Sequence, residues 1–276
     1  MSATPLVLLC APNGARRQTL DHPNLPITPD ELADCAEQVL AAGASVLHLH
    51  VRDDSGAHSL DAARYRSAIS ATRERVGDAL VLQVTTEACG VYKAPEQMQL
   101  VRELQPEAVS LALKELCPLP ENEPRFAEFL RTLQADRVLP QYILYSRDDV
   151  ERFLLLLDTG TIPRSAAFVL LVLGRYAVNR IGDPDELAAL GEPLDAVGVP
   201  WAVCCFGPTE QAAVRVAAEL GGHARVGFEN NLLLPDGSQA PNNAALVEVA
   251  AAAARDAGRP LADAATVRSM FSGSPD

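Results

Sequence analysis

The chain has 276 residues, enough for one large domain with a substantial core, and its 48% hydrophobic and 21% charged residues are ordinary for a globular protein. A net charge of −13 argues against a nucleic-acid partner, because no basic stripe is available to neutralise phosphates. Its longest apolar runs, FLLLLD and FVLLVLG, fall well short of the ~20 residues that span a membrane, and MSATPLVLLCAPNG lacks a basic n-region, so neither a membrane partner nor an export signal is expected.

LVLLCAPNG (6–14) reads as a first strand. TPDELADCAEQVLAAG (28–43) reads as a helix, opened by a capping box and stopped by Gly43. SVLHLHVRD (45–53) and LDAARYRSAISATRERVG (60–77) give a second strand and helix, LVLQVTTE (80–87) and APEQMQLVRELQ (94–105) a third pair. AVSLAL (108–113) precedes a helix over 122–136, and VLPQYILYS (138–146) precedes one over 147–160. SAAFVLLVL (165–173), PWAVCCFGP (200–208) and HARVGFENN (223–231) are followed by helices over 183–198, 209–222 and 242–258.

Strand–helix units that recur roughly every 30 residues, in a chain near the about 250 residues typical of the fold, predict an α/β (β/α)8 TIM barrel. The near-continuous apolar strands fit a parallel sheet covered by helices. A doubly wound open sheet is the competing architecture, but no GxGxxG or GxxxxGK(S/T) loop follows any strand. No Pro-, Gly- or Ser-rich linker interrupts the pattern, so residues 1–276 are read as a single TIM-barrel domain with a C-terminal helical extension. Cys10, Cys35, Cys89, Cys117, Cys204 and Cys205 show no CxxC spacing, and neighbours in a strand point to opposite faces, so reduced thiols in a cytoplasmic protein are expected.

In VLHLHVRD (46–53), His48, His50 and Arg52 share one strand face. Two imidazoles about 6.6 Å apart at the backbone can converge on one ion. In the last strand Arg225, Gly227 and Glu229 also share a face, and in a barrel strands eight and two both flank strand one. Glu229 is thereby placed to complete a His, His, Glu set with open positions, the pattern of a catalytic zinc.

HLHVRD (48–53), GFENNLLLPDG (227–237), NGARRQTLDHPNLPITPDEL (13–32) and NNAALVEVAAAAARDAGRPLADAATV (242–267) together resemble the β-keto acid cleavage enzymes, the group that includes 3-keto-5-aminohexanoate cleavage. The likeness runs over essentially the whole chain, with the middle third matching less well. It implies a (β/α)8 fold, a catalytic zinc and a homotetramer. The implied reaction converts a β-keto acid and acetyl-CoA into acetoacetate and a new acyl-CoA. By motif, His48, His50 and Glu229 are the implied zinc ligands and Arg225 the implied catalytic arginine.

The chain departs from that family's pattern in four places. Asn230 stands where the family has Asp, and Thr85, Thr86, Glu87, Ala88 stand where it has Ser/Thr–Thr–Gly–Gly. SLALKELCP (110–118) replaces a Gly–Ser–x–Asn–Phe type ending, and Gln141 and Ile143 replace two glutamates. An amide is not a useful base, so Asn230 is expected only to donate or accept hydrogen bonds, and Glu87 is the candidate base. Thr85, with Thr86, Asn13 and Ser110, is assigned to substrate binding, and Arg16, Arg17 and His22 are placed to meet an anionic group such as the CoA phosphates. Two other readings stand beside this one. One is a divergent metal-dependent TIM-barrel lyase, aldolase or hydrolase; the other is a catalytically impaired metal-binding homologue, because of Asn230.

Overall fold

A computed structural model of the chain describes residues 4–271 and shows eight parallel strands closed into a barrel. The strands are β1 (Leu8–Cys10), β2 (Val46–Leu49), β3 (Val81–Thr85), β4 (Ala108–Ala112), β5 (Leu139–Leu144), β6 (Val169–Leu173), β7 (Trp201–Cys205) and β8 (His223–Val226). They follow one another round the ring in chain order, and β1 closes it by pairing with both β2 and β8, Leu9 lying opposite Val46 and Arg225. The predicted fold class is the observed one.

The helices are α1 (Pro29–Ala42), α2 (Ala62–Val76), α3 (Ala94–Leu104), the single turn α4 (Leu113–Leu116), α5 (Glu123–Ala135), α6 (Arg147–Asp158), α7 (Glu186–Asp195), α8 (Glu210–Leu220), α9 (Asn243–Asp256) and α10 (Ala264–Phe271). The start of α1 is the capping box read from the sequence: Glu31 N donates to Thr28 Oγ1 at 3.3 Å and Thr28 N to Glu31 Oε2 at 2.8 Å. Gly43 ends the helix at φ +112°, a conformation that costs glycine nothing. Asp61, Ser146 and Asn242 cap the starts of α2, α6 and α9, each side chain accepting from a first-turn N–H, worth about 1 kcal/mol apiece.

Strand alternation sorts the core into two layers. Leu47, Leu82, Val109, Leu171 and Val203 point outward and pack beneath the helices. Val46, Val81, Ala108, Leu170 and Ala202 point inward and fill the lower barrel. Two residues further along the same faces stand His48, Gln83, Ser110, Val172 and Cys204, so the interior turns from apolar to polar on the way to the C-terminal mouth. The N-terminal opening is plugged by α10, whose Phe271 stacks on Phe168 with ring centroids 4.0 Å apart.

Every strand is shorter than the sequence suggested, β1, β2 and β8 most of all. β1 ends at Cys10 because Pro12 has no N–H to give the ladder and Gly14 turns the chain at φ +63°. β8 ends at Val226 because Gly227 adopts φ +129°. α4 is an element that the sequence reading did not contain. It starts directly from β4 in the stretch that departs from the family pattern.

Candidate active site

His48 lies in β2 and His50 just past its end, and both imidazoles are buried in the mouth. The Nε2 atoms face each other at 3.1 Å. Glu229 Oε2 lies 3.2 Å from His50 Nε2 and 3.8 Å from His48 Nε2. The turn after Gly227 delivers that carboxylate: Asn230 N and Asn231 N both donate to Gly227 O, which folds Glu229 back over Arg225. Arg225 and Glu229 therefore meet through a turn and not along one strand face, as the sequence reading had it. Gly14 makes room for the carboxylate; a Cβ there would lie 2.5 Å from Glu229 Cγ.

The interior strand positions orient these groups. His48 Nδ1 donates to Gln83 Oε1 at 2.7 Å, and Gln83 Nε2 donates to Gln141 Oε1 at 3.1 Å. A proton on Nδ1 leaves the Nε2 lone pair of His48 aimed at His50 and Glu229. Burial, and after it the charge of Arg225, pushes the His48 pKa well below its usual value, so the ring is neutral. Burial, the largest single influence, would raise the Glu229 carboxyl, but Arg225, 3.0 Å away, acting together with His50 and His48 outweighs it and holds the group ionised. Glu229 Oε2 is buried and accepts no hydrogen bond. Two imidazole nitrogens and an orphaned carboxylate oxygen, all within 4.8 Å of one another, fit a divalent cation of the zinc type.

Arg225 donates to Glu229 Oε1, to Cys204 Sγ at 3.2 Å and to Asn230 Oδ1 at 3.4 Å. The Asn230 side chain is fully engaged behind this guanidinium: its Nδ2 donates to Arg225 O and to Glu210 Oε1, each at 3.2 Å. Glu210, at the start of α8, has no exposed surface, and burial pushes its carboxyl up to about 8 despite N–H donors from Asn230, Asn231 and Gly227.

An inner cavity of about 20 Å³ joins His48, His50, Arg225 and Glu229 to Thr85, Thr86, Glu87 and Ser110. Ser110 Oγ is buried there without a partner. Thr86 Oγ1 donates to Ser110 O, and Thr85 Oγ1 accepts the Glu87 N–H. Glu87 is paired with Arg175, from the loop after β6. It shares with Arg175, Phe206 and Glu229 the boundary to an outer cleft of about 360 Å³, whose walls carry Arg16, Arg17 and Arg180. Asn13 and Asn230 belong to that cleft and not to the inner cavity. Asn13 Nδ2 is spent on Pro26 O and His50 O, while its Oδ1 is buried and free. His22 is turned away: buried against Phe228, it donates to Ala240 O and accepts from Asn24 N.

Arg175, Gln83 and Glu210 were not singled out in the sequence. Arg175 had a signal, since it follows β6 at the end of the barrel where such enzymes carry their chemistry. Gln83 and Glu210 had none, because their partners come from other strands.

Fold and site together define a TIM-barrel enzyme whose polar groups gather at the C-terminal mouth. The chain belongs to the β-keto acid cleavage enzyme family, whose model matches residues 5–272. It is 30% identical over 274 residues to a 3-keto-5-aminohexanoate cleavage enzyme of Fusobacterium nucleatum subsp. nucleatum, covering 97% of each chain. It is 27% identical over 273 residues to a 3-oxoadipate:acetyl-CoA acetyltransferase of Cupriavidus necator, covering 97% of this chain and 94% of that one. Among solved structures, the apo structure of ObcA matches with a TM-score of 0.73 at 20% identity, covering 92% of this chain and 66% of that one. That likeness concerns the fold.

Proposed function

We propose that the protein is a zinc-dependent enzyme that converts a β-keto acid and acetyl-CoA into acetoacetate and a new acyl-CoA. The observation that carries this reading is the convergence of His48 Nε2, His50 Nε2 and Glu229 Oε2 beside Arg225, in a chain of this family. The names of its relatives support acetyl-CoA as the second substrate.

The exchange balances as R–CO–CH2–COO⁻ plus CH3–CO–SCoA giving CH3–CO–CH2–COO⁻ plus R–CO–SCoA. The C2–C3 bond of the keto acid and the acetyl–sulfur bond break; a bond from C2 to the acetyl carbon and a new acyl–sulfur bond form. His48, His50 and Glu229 would hold the cation, which when bound supplies Lewis acidity toward a carbonyl oxygen. Glu87 is the base: of the two carboxylates lining the inner cavity, Glu229 is committed to the cation, and Glu87, held by its ion pair with Arg175, is the one left to take the C2 proton. Arg225 faces the negative charge that develops, with a guanidinium held rigidly by Cys204 and Asn230. Ser110 Oγ and Thr85 Oγ1 keep hydroxyl protons to donate to the substrate, while Thr86 and Asn13, whose donors are spent on backbone carbonyls, shape the walls around it. Arg16, Arg17 and Arg180 line the outer cleft, where the phosphates of a CoA would find positive charge.

A homotetramer and a cytoplasmic location belong to the same proposal. The first is supported by the family resemblance, the second by six cysteines that are all unpaired. Among the described residues no helix is long and apolar enough to cross a membrane.

The test is acetoacetate formation by zinc-loaded protein from acetyl-CoA and a panel of β-keto acids. Product that vanishes in Glu87→Gln supports the reading and its base. Tightly bound zinc with no product from any acid in the panel refutes it and favours an impaired homologue.

A further inference from the structure

The inner cavity has a polar side and an apolar side. Across the barrel from His48 on β2 and Glu229 beyond β8, its wall is made of Ala112, Ile143, Tyr145, Val172 and Phe206. These residues come from the ends of β4, β5, β6 and β7, so the apolar surface is continuous over four neighbouring strands. A β-keto acid that directs its carboxylate and keto oxygen to the polar side finds this wall as the apolar surface for its remaining substituent.

No free charge waits there for a charged substituent. Glu87 and Arg175 are the ionised groups of the cavity beyond the triad and Arg225, and they are spent on each other. Their side chains are only 17% and 12% exposed, so water does little to replace a lost partner. An anionic tail would have to draw Arg175 from Glu87, and a cationic tail would have to draw Glu87 from Arg175. Each exchange leaves a desolvated charge without its counterion. Lys114, on α4, is no substitute: its Nζ sits 4.0 and 3.4 Å from the ring centroids of Tyr145 and Tyr176 and is absent from the cavity wall. At position 143 a branched hydrocarbon presents no acceptor at all.

We infer that the substrate is a β-keto acid whose keto carbon bears an uncharged aliphatic group. This rests on the reaction proposed above and adds the substrate class. Ile143 is the specificity-determining position, because it lies in the middle of the apolar wall on β5.

The experiment compares kcat/KM for three acids at saturating acetyl-CoA: 3-oxopentanoate, 3-oxoadipate with an anionic tail, and 3-keto-5-aminohexanoate with a cationic one. The expected result is a preference of at least about tenfold for 3-oxopentanoate, in line with the cost of mispairing a buried charge. In Ile143→Glu the ratio of cationic to aliphatic acid should rise by a similar factor. A preference for either charged acid overturns the substrate class and leaves the reaction standing. Turnover of none of the three overturns the reaction, and the substrate class with it.

Discussion

Asn230 Nδ2 lies 3.2 Å from Glu210 Oε1, so the amide at the position where the resemblance implies an aspartate rests against a fully buried carboxylate from α8. The carboxylate has not vanished from this corner of the barrel; it stands one side chain further back. Asn230 translates it into a fixed amide orientation, with Oδ1 toward Arg225 and Cys204.

This arrangement predicts that restoring the family residue alone is harmful. Asn230→Asp brings two carboxylates within hydrogen-bond distance and removes a donor from Glu210. Such a pair shares one proton, and full ionisation is resisted. The variant should lose on the order of 2 kcal/mol at pH 9, read by urea unfolding. Asn230→Asp combined with Glu210→Gln should recover most of that loss. Equal losses in the single and double variants would show that the two side chains do not interact.

The pH dependence of stability carries a second expectation. Unfolded, Glu210 titrates at its ordinary value of 4.5; folded, burial pushes it up to about 8. Between those values the folded protein holds a proton that the unfolded chain has released. Stability attributable to this group is thus complete below pH 4.5, declines as pH rises toward 8, and levels off above. Glu210→Gln removes the titration, so the variant should gain on the wild type as pH increases and be more stable near pH 9. Parallel Tm-versus-pH curves for the two proteins would contradict this.

Metal content tests the triad without reference to turnover. His48→Ala or His50→Ala should lower bound zinc from one per chain to well below one, measured by elemental analysis after dialysis. Gln83→Leu leaves the ligands in place but removes the acceptor that fixes the His48 tautomer. Its zinc affinity should fall about 10- to 100-fold in a chelator competition, as expected for partners that orient metal-bound imidazoles. Unchanged affinity would mean that His48 is held by its packing alone.

How much of this was legible depended on distance along the chain. His48 and His50 declared themselves because period-two alternation puts both on one face, and Glu229 because barrel closure sets β8 beside β1. The outward apolar face of each strand was equally plain, which is why the architecture could be read from the repeat of strand and helix. Gln83 reads as an unremarkable residue in LVLQVTTE until β3 is docked against β2, opposite His48. Glu210 reads as an N-terminal helix carboxylate, usually solvated, until the β8 turn covers it. Glu87 was readable as a strand-end carboxylate, but its partner Arg175 lies 88 residues away, and no local pattern joins them.

Gly14 supplies the sharpest test of how the loop after β1 serves the site. Its φ of +63° is one that an L side chain adopts only at a cost, commonly about 1 kcal/mol. Sterics add to this, since a methyl group would stand 2.5 Å from Glu229 Cγ and 3.0 Å from its Cβ. The backbone cannot retreat freely, because Arg52 donates to Gly14 O and to Arg17 O and pins the loop to β2's extension. Relief must come from Glu229, which would swing its carboxylate off the histidines. Gly14→Ala is therefore expected to lose about 1–3 kcal/mol of stability and to weaken zinc binding at least tenfold, while far-UV circular dichroism stays native. A variant that loses stability but binds zinc as tightly as the wild type would show that the loop yields instead of the ligand.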